Sequence, residues 1–260
     1  MPVKDCPKCE GTGWRPVESG GVRRVTRCDC MGVSRAETLL EQAQIPRRYQ
    51  HCSFENFHIR LENGRPNRTL SEARLLARRL VEEYPVDYGL LFIGPTGVGK
   101  THLAVAVIRE LISLKAVECR FQDFRELLKA IRDSYNPISE STEFRIIQPL
   151  VDVEVLLLDE LAAFNPSEWV KETLSYLINS RYNRKKLTII TTTLPLGQPA
   201  RSTPVAPSGE AVPDIDAALS QLGPTLCSRL YEMCRPVEIH CEDYRKQIRR
   251  QQIYADPENP

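Results

Sequence analysis

Hydrophobic residues between positions 71 and 192 follow two alternating patterns. Short, nearly continuous apolar runs are typical of strands that are buried on both faces. These runs occupy residues 88–93, 117–121, 153–159 and 187–192. The longer stretches between them repeat apolar residues at helical spacing, as in 71–83, 101–114 and the i, i+3, i+4, i+7 series Phe124, Leu127, Leu128, Ile131. This alternation predicts an α/β domain in which helices sandwich a parallel sheet.

The flanking segments predict further elements. A charged stretch at about 34–44 has helical character, and Asn165-Pro166-Ser167-Glu168 provides a cap, a first-position proline and a first-turn acid for a helix that reaches about Asn183. Residues 195–214 are rich in proline and small polar residues, which indicates a flexible surface insertion. A helix containing Leu226, Arg229, Leu230 and Met233, a last strand at 236–240 and a basic helix at 242–253 complete the chain.

A phosphate-binding motif separates the apolar run at 90–93 from the helix that follows. Residues 94–101 fit GxxxxGK[ST], in which a glycine-rich turn directs backbone amides at phosphates and a helix N-terminus adds its positive dipole. We expect Lys100 to reach the β- and γ-phosphates of a nucleotide and Thr101 to ligate Mg²⁺. The predicted nucleotide-binding residues are Gly94, Pro95, Thr96, Gly97, Val98, Gly99, Lys100, Thr101, His102 and Asp159.

An acidic pair, Asp159 and Glu160, ends the apolar run that starts at Val153. If this run is a parallel strand, Asp159 lies beside the phosphate loop, where it can hold Mg²⁺. Glu160 then lies where a base can polarise attacking water. The pair favours hydrolysis over simple binding, although the alternative is an ordinary polar strand end.

Composition limits the class of protein. The 260 residues are 42% hydrophobic and carry a formal net charge of +1, which allows a sizeable core and gives no global attraction to nucleic acid. Any nucleic-acid site must therefore be a local patch. Since no apolar signal region or membrane-length run is visible, we expect a cytoplasmic protein without a membrane partner.

Four of the nine cysteines cluster near the N-terminus as Cys6-Pro-Lys-Cys9 and Cys28-Asp-Cys30, on either side of a predicted hairpin. Two thiolate pairs can complete a tetrahedral Zn²⁺ site that stabilises a segment too small for its own core. A redox pair and unligated thiols are the alternatives. The remaining cysteines are expected to be packed thiols; they are Cys52, Cys119, Cys227, Cys234 and Cys241.

The segment between the cysteine pairs also carries basic and aromatic residues. Arg23, Arg24 and Arg27 lie near Trp14 in the sequence and can form a face for nucleic acid or for a partner protein. A solvated hairpin without a partner is the alternative. The predicted organisation is a zinc-binding module at 1–34, a linker and lead-in segment at 35–70, and the nucleotide-binding domain at 71–260.

These residues resemble the DnaC/IstB-like AAA+ ATPases, a family of helicase loaders and transposition helper ATPases. The resemblance covers nearly the whole chain. It is carried by Ile45-Pro46-Arg47-Arg48-Tyr49, Phe54-Glu55-Asn56-Phe57, the phosphate loop, Leu158-Asp159-Glu160-Leu161, the stretch from Thr188 to Pro195, and Ser228-Arg229-Leu230-Tyr231-Glu232-Met233. The cysteine cluster followed by Gly11-Thr12-Gly13-Trp14 is similar to the zinc-bearing loader branch.

The resemblance implies a homo-oligomer in which one subunit completes the catalytic site of the next. It makes Arg229 the arginine finger that acts in trans and Arg245 the arginine that senses nucleotide in cis. Thr193 stands where the family commonly has Asn, so that sensing is expected to be weaker or to shift to Thr192. The resemblance also implies an AAA+ fold, but the chain ends about twenty residues after its last predicted strand, which predicts that a full helical lid is missing.

Three functions remain open at this point. The leading hypothesis is a loader that uses ATP and Mg²⁺, holds single-stranded DNA and engages a replicative DNA helicase through its zinc-bearing segment. The second is a transposition helper ATPase that acts on duplex DNA. The third, a small-molecule kinase, is disfavoured because such enzymes rarely combine an Asp159-Glu160 pair with a trans arginine.

Overall fold

The computed structural model describes residues 6–19, 22–59, 64–136, 142–161, 167–193 and 223–246. The predicted insertion at 195–214 lies outside this part of the chain. Of the predicted terminal helix at 242–253, residues 242–246 are described, and residues 244–246 are helical. The strands are β1 Trp14–Ser19, β2 Val22–Arg27, β3 Gly89–Ile93, β4 Cys119–Asp123, β5 Val155–Asp159, β6 Leu187–Thr192 and β7 Cys234–Glu238. The helices are α1 Cys30–Gln42, α2 Arg68–Glu83, α3 Lys100–Lys115, α4 Phe124–Ser134, α5 Glu143–Asp152, α6 Glu168–Asn183 and α7 Pro224–Met233, with a 3-10 turn at Arg47–Tyr49.

Five strands form a parallel sheet in the order β4-β5-β6-β3-β7. Alternate residues of each strand face different layers: Leu90 and Phe92 pack with α1, α2 and α3, whereas Leu91 and Ile93 pack with α4, α5, α6 and α7. Because both faces are covered, the strands need apolar residues at every position, which explains their continuous apolar runs. The predicted α/β sandwich is confirmed.

β6 lies between β3 and β5, and this order positions the candidate site. The carboxyl ends of parallel strands meet at one edge of a sheet, so that the loop after β3, the acids at the end of β5 and the threonines at the end of β6 come together. The sequence predicted each of these strands but not their order.

The N-terminal segment forms a small separate sheet. β1 and β2 pair as an antiparallel hairpin from Trp14 opposite Arg27 to Ser19 opposite Val22, as predicted. The four cysteines form their own buried cluster at the base of the hairpin. Cys30 is also the first residue of α1, whose Leu39 and Leu40 pack against the main core. One helix therefore connects the cysteine cluster to the nucleotide-binding domain.

Several element boundaries differ from the sequence predictions. No element was predicted at Glu143–Asp152, where the structure has α5 with Pro149 inside it, a residue that normally indicates a helix break. Helix α6 begins at Glu168 and is capped by Ser167, whose hydroxyl accepts from the Val170 amide. The predicted cap Asn165 and first-position Pro166 lie outside the described residues. The last strand begins at Cys234 and includes Pro236, which is tolerated because β7 is an edge strand.

Candidate nucleotide site and cysteine cluster

The phosphate loop is a left-handed turn between β3 and α3. Gly97 and Gly99 have φ values of 83° and 93°, a conformation that favours glycine. A Cβ atom on Gly99 would lie 2.6 Å from the ring of Phe57, so the absence of a side chain lets the lead-in segment pack directly on the loop. The motif Phe54-Glu55-Asn56-Phe57 therefore has a structural role, because the ring of Phe57 packs against the phosphate loop.

Lys100 is held against the phosphate loop. Its ammonium donates to the carbonyl oxygens of Gly94 and Pro95 at 2.9 and 2.7 Å, and the residue is 7% exposed. Burial lowers the pKa of Lys100, while the charges of Asp159 and Glu160 oppose this shift. A partly desolvated ammonium in this position is suited to phosphate oxygens, since its attraction to them is weakly screened.

Asp159 accepts two hydrogen bonds on one carboxylate oxygen. Thr101 Oγ1 donates to Oδ1 at 2.9 Å and Thr191 Oγ1 donates to the same atom at 2.6 Å. Burial raises the pKa of Asp159, and these two bonds oppose the rise. When the Thr101 hydroxyl gives its hydrogen to Asp159, its oxygen lone pairs remain available to a cation. An oxygen-rich pair of this kind fits the ligand preference of Mg²⁺.

Glu160 follows the strand in an unusual backbone conformation. Its φ is +55°, its amide donates to Thr191 Oγ1 at 2.9 Å, and its side chain is 45% exposed. Arg125, at the start of α4, places its guanidinium 3.9 Å from Glu160 Oε1. The carboxylate is therefore accessible beside the buried Asp159, which suits a group that must contact water.

A cavity of about 410 Å³ brings the predicted residues together. The predicted residues in its lining are Thr96, Gly97, Gly99, Lys100, Thr101, His102, Asp159, Glu160, Thr193 and Arg245. Val98 is instead buried in the core, and Gly94 and Pro95 contribute the carbonyl oxygens that hold Lys100. The structure therefore brings most of the predicted residues to one cavity, and their roles stay predictions.

The two arginines implied by the family resemblance lie in different places. Arg245 lines the cavity, where the Tyr244 amide donates to the Gly97 carbonyl at 3.2 Å and fixes the segment to the phosphate loop. Arg229 lies on α7, where it donates to Asn179 Oδ1 at 2.5 Å and covers the ring of Tyr182. Arg229 is not part of the cavity lining of its own chain.

Sequence reasoning assigned no role at the site to several lining residues. They are Arg48, Tyr49, His51, Cys52, Thr191 and Tyr244. Arg48 and Tyr49 belong to a motif that carries the family resemblance. The motif lies about fifty residues before the phosphate loop in the sequence, so sequence analysis gave no sign that the two are neighbours in the fold. His102 Nε2 lies 2.9 Å from the Ser53 carbonyl and connects the lead-in segment to α3. The hydroxyl of Thr192 donates to the Leu161 carbonyl. This contact gives no support to the prediction that nucleotide sensing shifts to Thr192.

The four N-terminal cysteines have the geometry of a metal site. Their sulfur atoms all lie within 4.8 Å of one another, with 3.7 Å between Cys6 and Cys28 and 3.4 Å between Cys9 and Cys30. A tetrahedral zinc ion with Zn–S bonds of about 2.3 Å separates its sulfurs by about 3.8 Å. Burial opposes ionisation of Cys9, but hydrogen bonds from the Gly13 amide and the other three thiols lower its pKa to about 7. The cluster fits a tetrahedral thiolate site.

The sheet and the site together define a class of protein. The phosphate loop follows β3, the acidic pair lies at the end of β5, and β6 lies between these two strands. AAA+ ATPases have this arrangement. Sequence comparison then gives the family: the IstB-like ATP binding protein family matches residues 32–252, and the chain belongs to it. The predicted family and enzyme class are confirmed.

Curated relatives include replicative helicase loaders. DnaC of Escherichia coli strain K12 is 30% identical over 141 residues, and the match covers 54% of each protein. The chain therefore spans about half the length of these relatives. The protein YqaM of Bacillus subtilis is 23% identical over 244 residues, which cover 89% of this chain and 66% of YqaM.

Solved structures agree with the fold. The crystal structure of the DnaC helicase loader matches with a TM-score of 0.61 and 29% identity, over 75% of this chain and 100% of the other. The crystal structure of DnaI matches with a TM-score of 0.54 and 20% identity, over 77% of this chain and 94% of the other. AMPPCP-bound DnaA from Aquifex aeolicus matches with a TM-score of 0.56 and 17% identity, over 84% of this chain and 58% of the other. The last two show the fold alone. Within the described residues, every helix is too short or too polar to cross a bilayer.

Proposed function

We propose that this protein is an ATP-hydrolysing loader of a replicative DNA helicase. The observation that carries the proposal is the convergence of Lys100, Thr101, Asp159 and Glu160 on one cavity, in a chain of a family whose curated relatives include helicase loaders. Lys100 binds phosphate. Thr101 and Asp159 would hold Mg²⁺, which would supply positive charge to neutralise the phosphates. Glu160, exposed beside them, accepts the proton of the attacking water.

Hydrolysis in this proposal requires a second subunit. Arg229 lies outside the cavity of its own chain, on the surface formed by α6 and α7. A guanidinium at this position serves a neighbour, where it neutralises charge that develops on the γ-phosphate. The contacts with Asn179 and Tyr182 hold the side chain at the surface before assembly.

Mixing two inactive variants tests the trans arrangement. Arg229→Ala keeps an intact nucleotide site and Lys100→Ala keeps an intact finger, so mixed oligomers restore hydrolysis at some interfaces. Because arginine fingers contribute about 10³–10⁵ in rate in other phosphoryl-transfer enzymes, partial mixing gives a signal above background. The assay includes single-stranded DNA and a helicase. Mixtures that form oligomers and stay inactive would overturn the trans role of Arg229.

The partners proposed are a replicative helicase and single-stranded DNA. The similarity of this chain to replicative helicase loaders named DnaC supports the first. A pulldown from lysate with ATP and Mg²⁺ tests both, with Glu160→Gln as bait to retain the ATP-bound state and Lys100→Ala as the matched control. Enrichment of a helicase on the first bait alone is expected. Recovery of the same proteins on both baits would show that nucleotide does not control the interaction.

We also propose that Cys6, Cys9, Cys28 and Cys30 bind one Zn²⁺ as thiolates and that this module contacts the helicase. The sulfur separations support the metal, and the exposure of Trp14 and Val25 on the hairpin supports a docking role. Elemental analysis gives the metal content. Purification of Cys6→Ser and Cys28→Ser with as much zinc as the parent protein would place the site elsewhere.

A transposition helper is the second candidate, because the family that matches residues 32–252 takes its name from IstB. Such a protein forms ATP-dependent filaments on duplex DNA. Sedimentation with duplex and single-stranded oligonucleotides of equal length separates the two candidates: preference for the duplex favours the helper, and preference for the single strand favours the loader.

A further inference from the structure

Thr191 makes hydrogen bonds to both residues of the acidic pair. Its hydroxyl donates to Asp159 Oδ1 at 2.6 Å and accepts from the Glu160 amide at 2.9 Å. Its carbonyl oxygen accepts from the Leu161 amide at 2.8 Å, and the residue is 1% exposed. One buried side chain on β6 is therefore bonded to the acidic pair at the end of β5.

The directions of these bonds are fixed by the number of hydrogens. A threonine hydroxyl has one hydrogen, and an amide can only donate, so the Glu160 amide must use an oxygen lone pair of Thr191. The hydrogen of Thr191 is then free for Asp159, which accepts it as a carboxylate. The hydroxyl thus connects the magnesium ligand to the backbone of the proposed base.

The backbone of Glu160 needs such support. A φ of +55° is uncommon for a residue with a side chain, and such conformations persist where the surrounding structure holds them. The bond from its amide to Thr191 and the bond from Leu161 to the Thr191 carbonyl hold the chain on both sides of the turn. The turn directs the Glu160 side chain away from the strand, into the cavity lining.

The neighbouring threonines have different contacts. Thr192 Oγ1 donates to the Leu161 carbonyl at 2.6 Å, and Thr193 lines the cavity. Among the described residues, Thr101 and Thr191 are the two that donate hydroxyl hydrogens to Asp159. Thr101 lies on the phosphate loop helix, so Thr191 is the contact that joins Asp159 to the sheet.

We propose that Thr191 is a positioning residue. It holds the proposed magnesium ligand Asp159 and the proposed base Glu160 in fixed positions relative to each other. The proposal rests on the ATP site proposed above. It assigns to Thr191 an effect on turnover and on Mg²⁺-dependent nucleotide affinity, because both depend on where the two carboxylates are held. It assigns to the buried hydroxyl of Thr173, which lies on α6 outside the cavity lining, an effect on the fold only.

Three variants test the proposal. Thr191→Val removes the hydroxyl at nearly constant volume, and Thr191→Ser restores it. The control, Thr173→Val, removes a buried hydroxyl on α6 that donates to the Trp169 carbonyl. The first measurement is the affinity for a non-hydrolysable ATP analogue with and without Mg²⁺, which requires no turnover. Thr191→Val is expected to lose about 10–100-fold of the Mg²⁺-dependent gain in affinity, as for other residues that orient metal ligands.

The second measurement is kcat for ATP at saturating Mg²⁺. The kcat of Thr191→Val is expected to fall by about 10–100-fold, whereas that of Thr191→Ser and Thr173→Val stays close to the parent. A Thr191→Val protein that keeps both the Mg²⁺ gain and kcat, or a Thr191→Ser protein as impaired as Thr191→Val, would overturn the positioning role. If the parent shows the Mg²⁺ gain but no turnover, hydrolysis fails as a function and the binding measurement still decides the role of Thr191.

Discussion

The ATP site and the cysteine module are stabilised in opposite ways within one chain. Strands of the ATP site have helices on both faces, and residues such as Leu91 and Leu157 are 0% exposed. The hairpin of the module exposes Trp14 by 51% and Val25 by 71%. Among the described residues of the module, the buried side chains are those of the four cysteines. A two-stranded hairpin by itself is marginally stable in water. Apolar burial therefore maintains the geometry of the ATP site, whereas the folding of the module depends on the interaction that holds its four cysteine sulfurs together.

The comparison also concerns where charge is buried. In the ATPase domain Lys100, Asp159 and Arg181 are at least nine-tenths buried, each with hydrogen-bond partners. In the hairpin Arg23, Arg24 and Arg27 are exposed, and the pair of Arg23 with Glu18 lies in solvent. Buried charges with fixed partners are costly to disturb, while exposed pairs contribute little. Substitutions in the two regions should therefore differ in size and in what they affect.

The largest effect is expected at the acidic pair. Glu160→Gln should keep nucleotide binding and lower kcat by about 10²–10⁴, because it removes only the group that accepts a proton. Lys100→Ala should weaken nucleotide binding by about 2–5 kcal/mol, since it removes a buried charge opposite the phosphates. Titration with a fluorescent ATP analogue and measurement of phosphate release separate the two. Equal loss of binding in both variants would contradict these roles, and zinc content should change in neither.

Arg181 is expected to give the largest change in stability of the core. It is fully buried in α6, and Arg181→Met should lower the free energy of unfolding by about 3–5 kcal/mol because it leaves buried acceptors unpaired. These acceptors are Thr188 Oγ1 and the carbonyl oxygens of Leu150, Val151, Val153, Glu154 and Leu187. Urea unfolding gives the value. The matched control is Arg184→Met, which breaks an exposed pair with Asp152 and should cost under about 1 kcal/mol.

Removal of the proposed zinc ion should affect the cysteine module alone. A strong chelator is expected to unfold the hairpin, because metal binding and folding are coupled in small sites of this type. Hydrogen exchange should then increase at β2 and remain slow at β5 and β6, whose residues are buried on both faces. ATP affinity, measured after the chelator is removed and Mg²⁺ is restored, should stay unchanged. Parallel loss of protection in the sheet would mean that the module and the core unfold as one unit.

The smallest effect is expected at a helix cap in the lead-in segment. Asn67 Oδ1 accepts from the Leu70 amide at 3.0 Å at the start of α2, and its amide group donates to the His240 carbonyl at 3.0 Å. Asn67→Ala should lower the free energy of unfolding by about 0.5–2 kcal/mol. Thermal unfolding detects the change. An unchanged stability would show that other contacts, such as Thr69 with His240, are sufficient at this junction.

Arg181 illustrates what sequence reasoning could not supply. An arginine on a helix is ordinarily solvent-exposed, and nothing in the local sequence marks this one as buried. Its burial follows from the way α6 packs over the end of α5 and the start of β5, whose carbonyl oxygens need a donor. Thr191 is similar, since one threonine among three at the end of β6 is selected only by its register against Asp159.

The phosphate loop, the acidic pair, the cysteine cluster and the alternation of strands and helices could all be identified from the sequence alone. These features are local, because glycine conformation, apolar periodicity and ligand spacing are properties of adjacent residues. The tertiary structure decided that β6 lies between β3 and β5, that the segment from Arg48 to Cys52 borders the cavity, and that Arg229 lies outside it. Such facts depend on which side chains can fill a shared core and pair across strands, and contacts between residues far apart in the chain determine them.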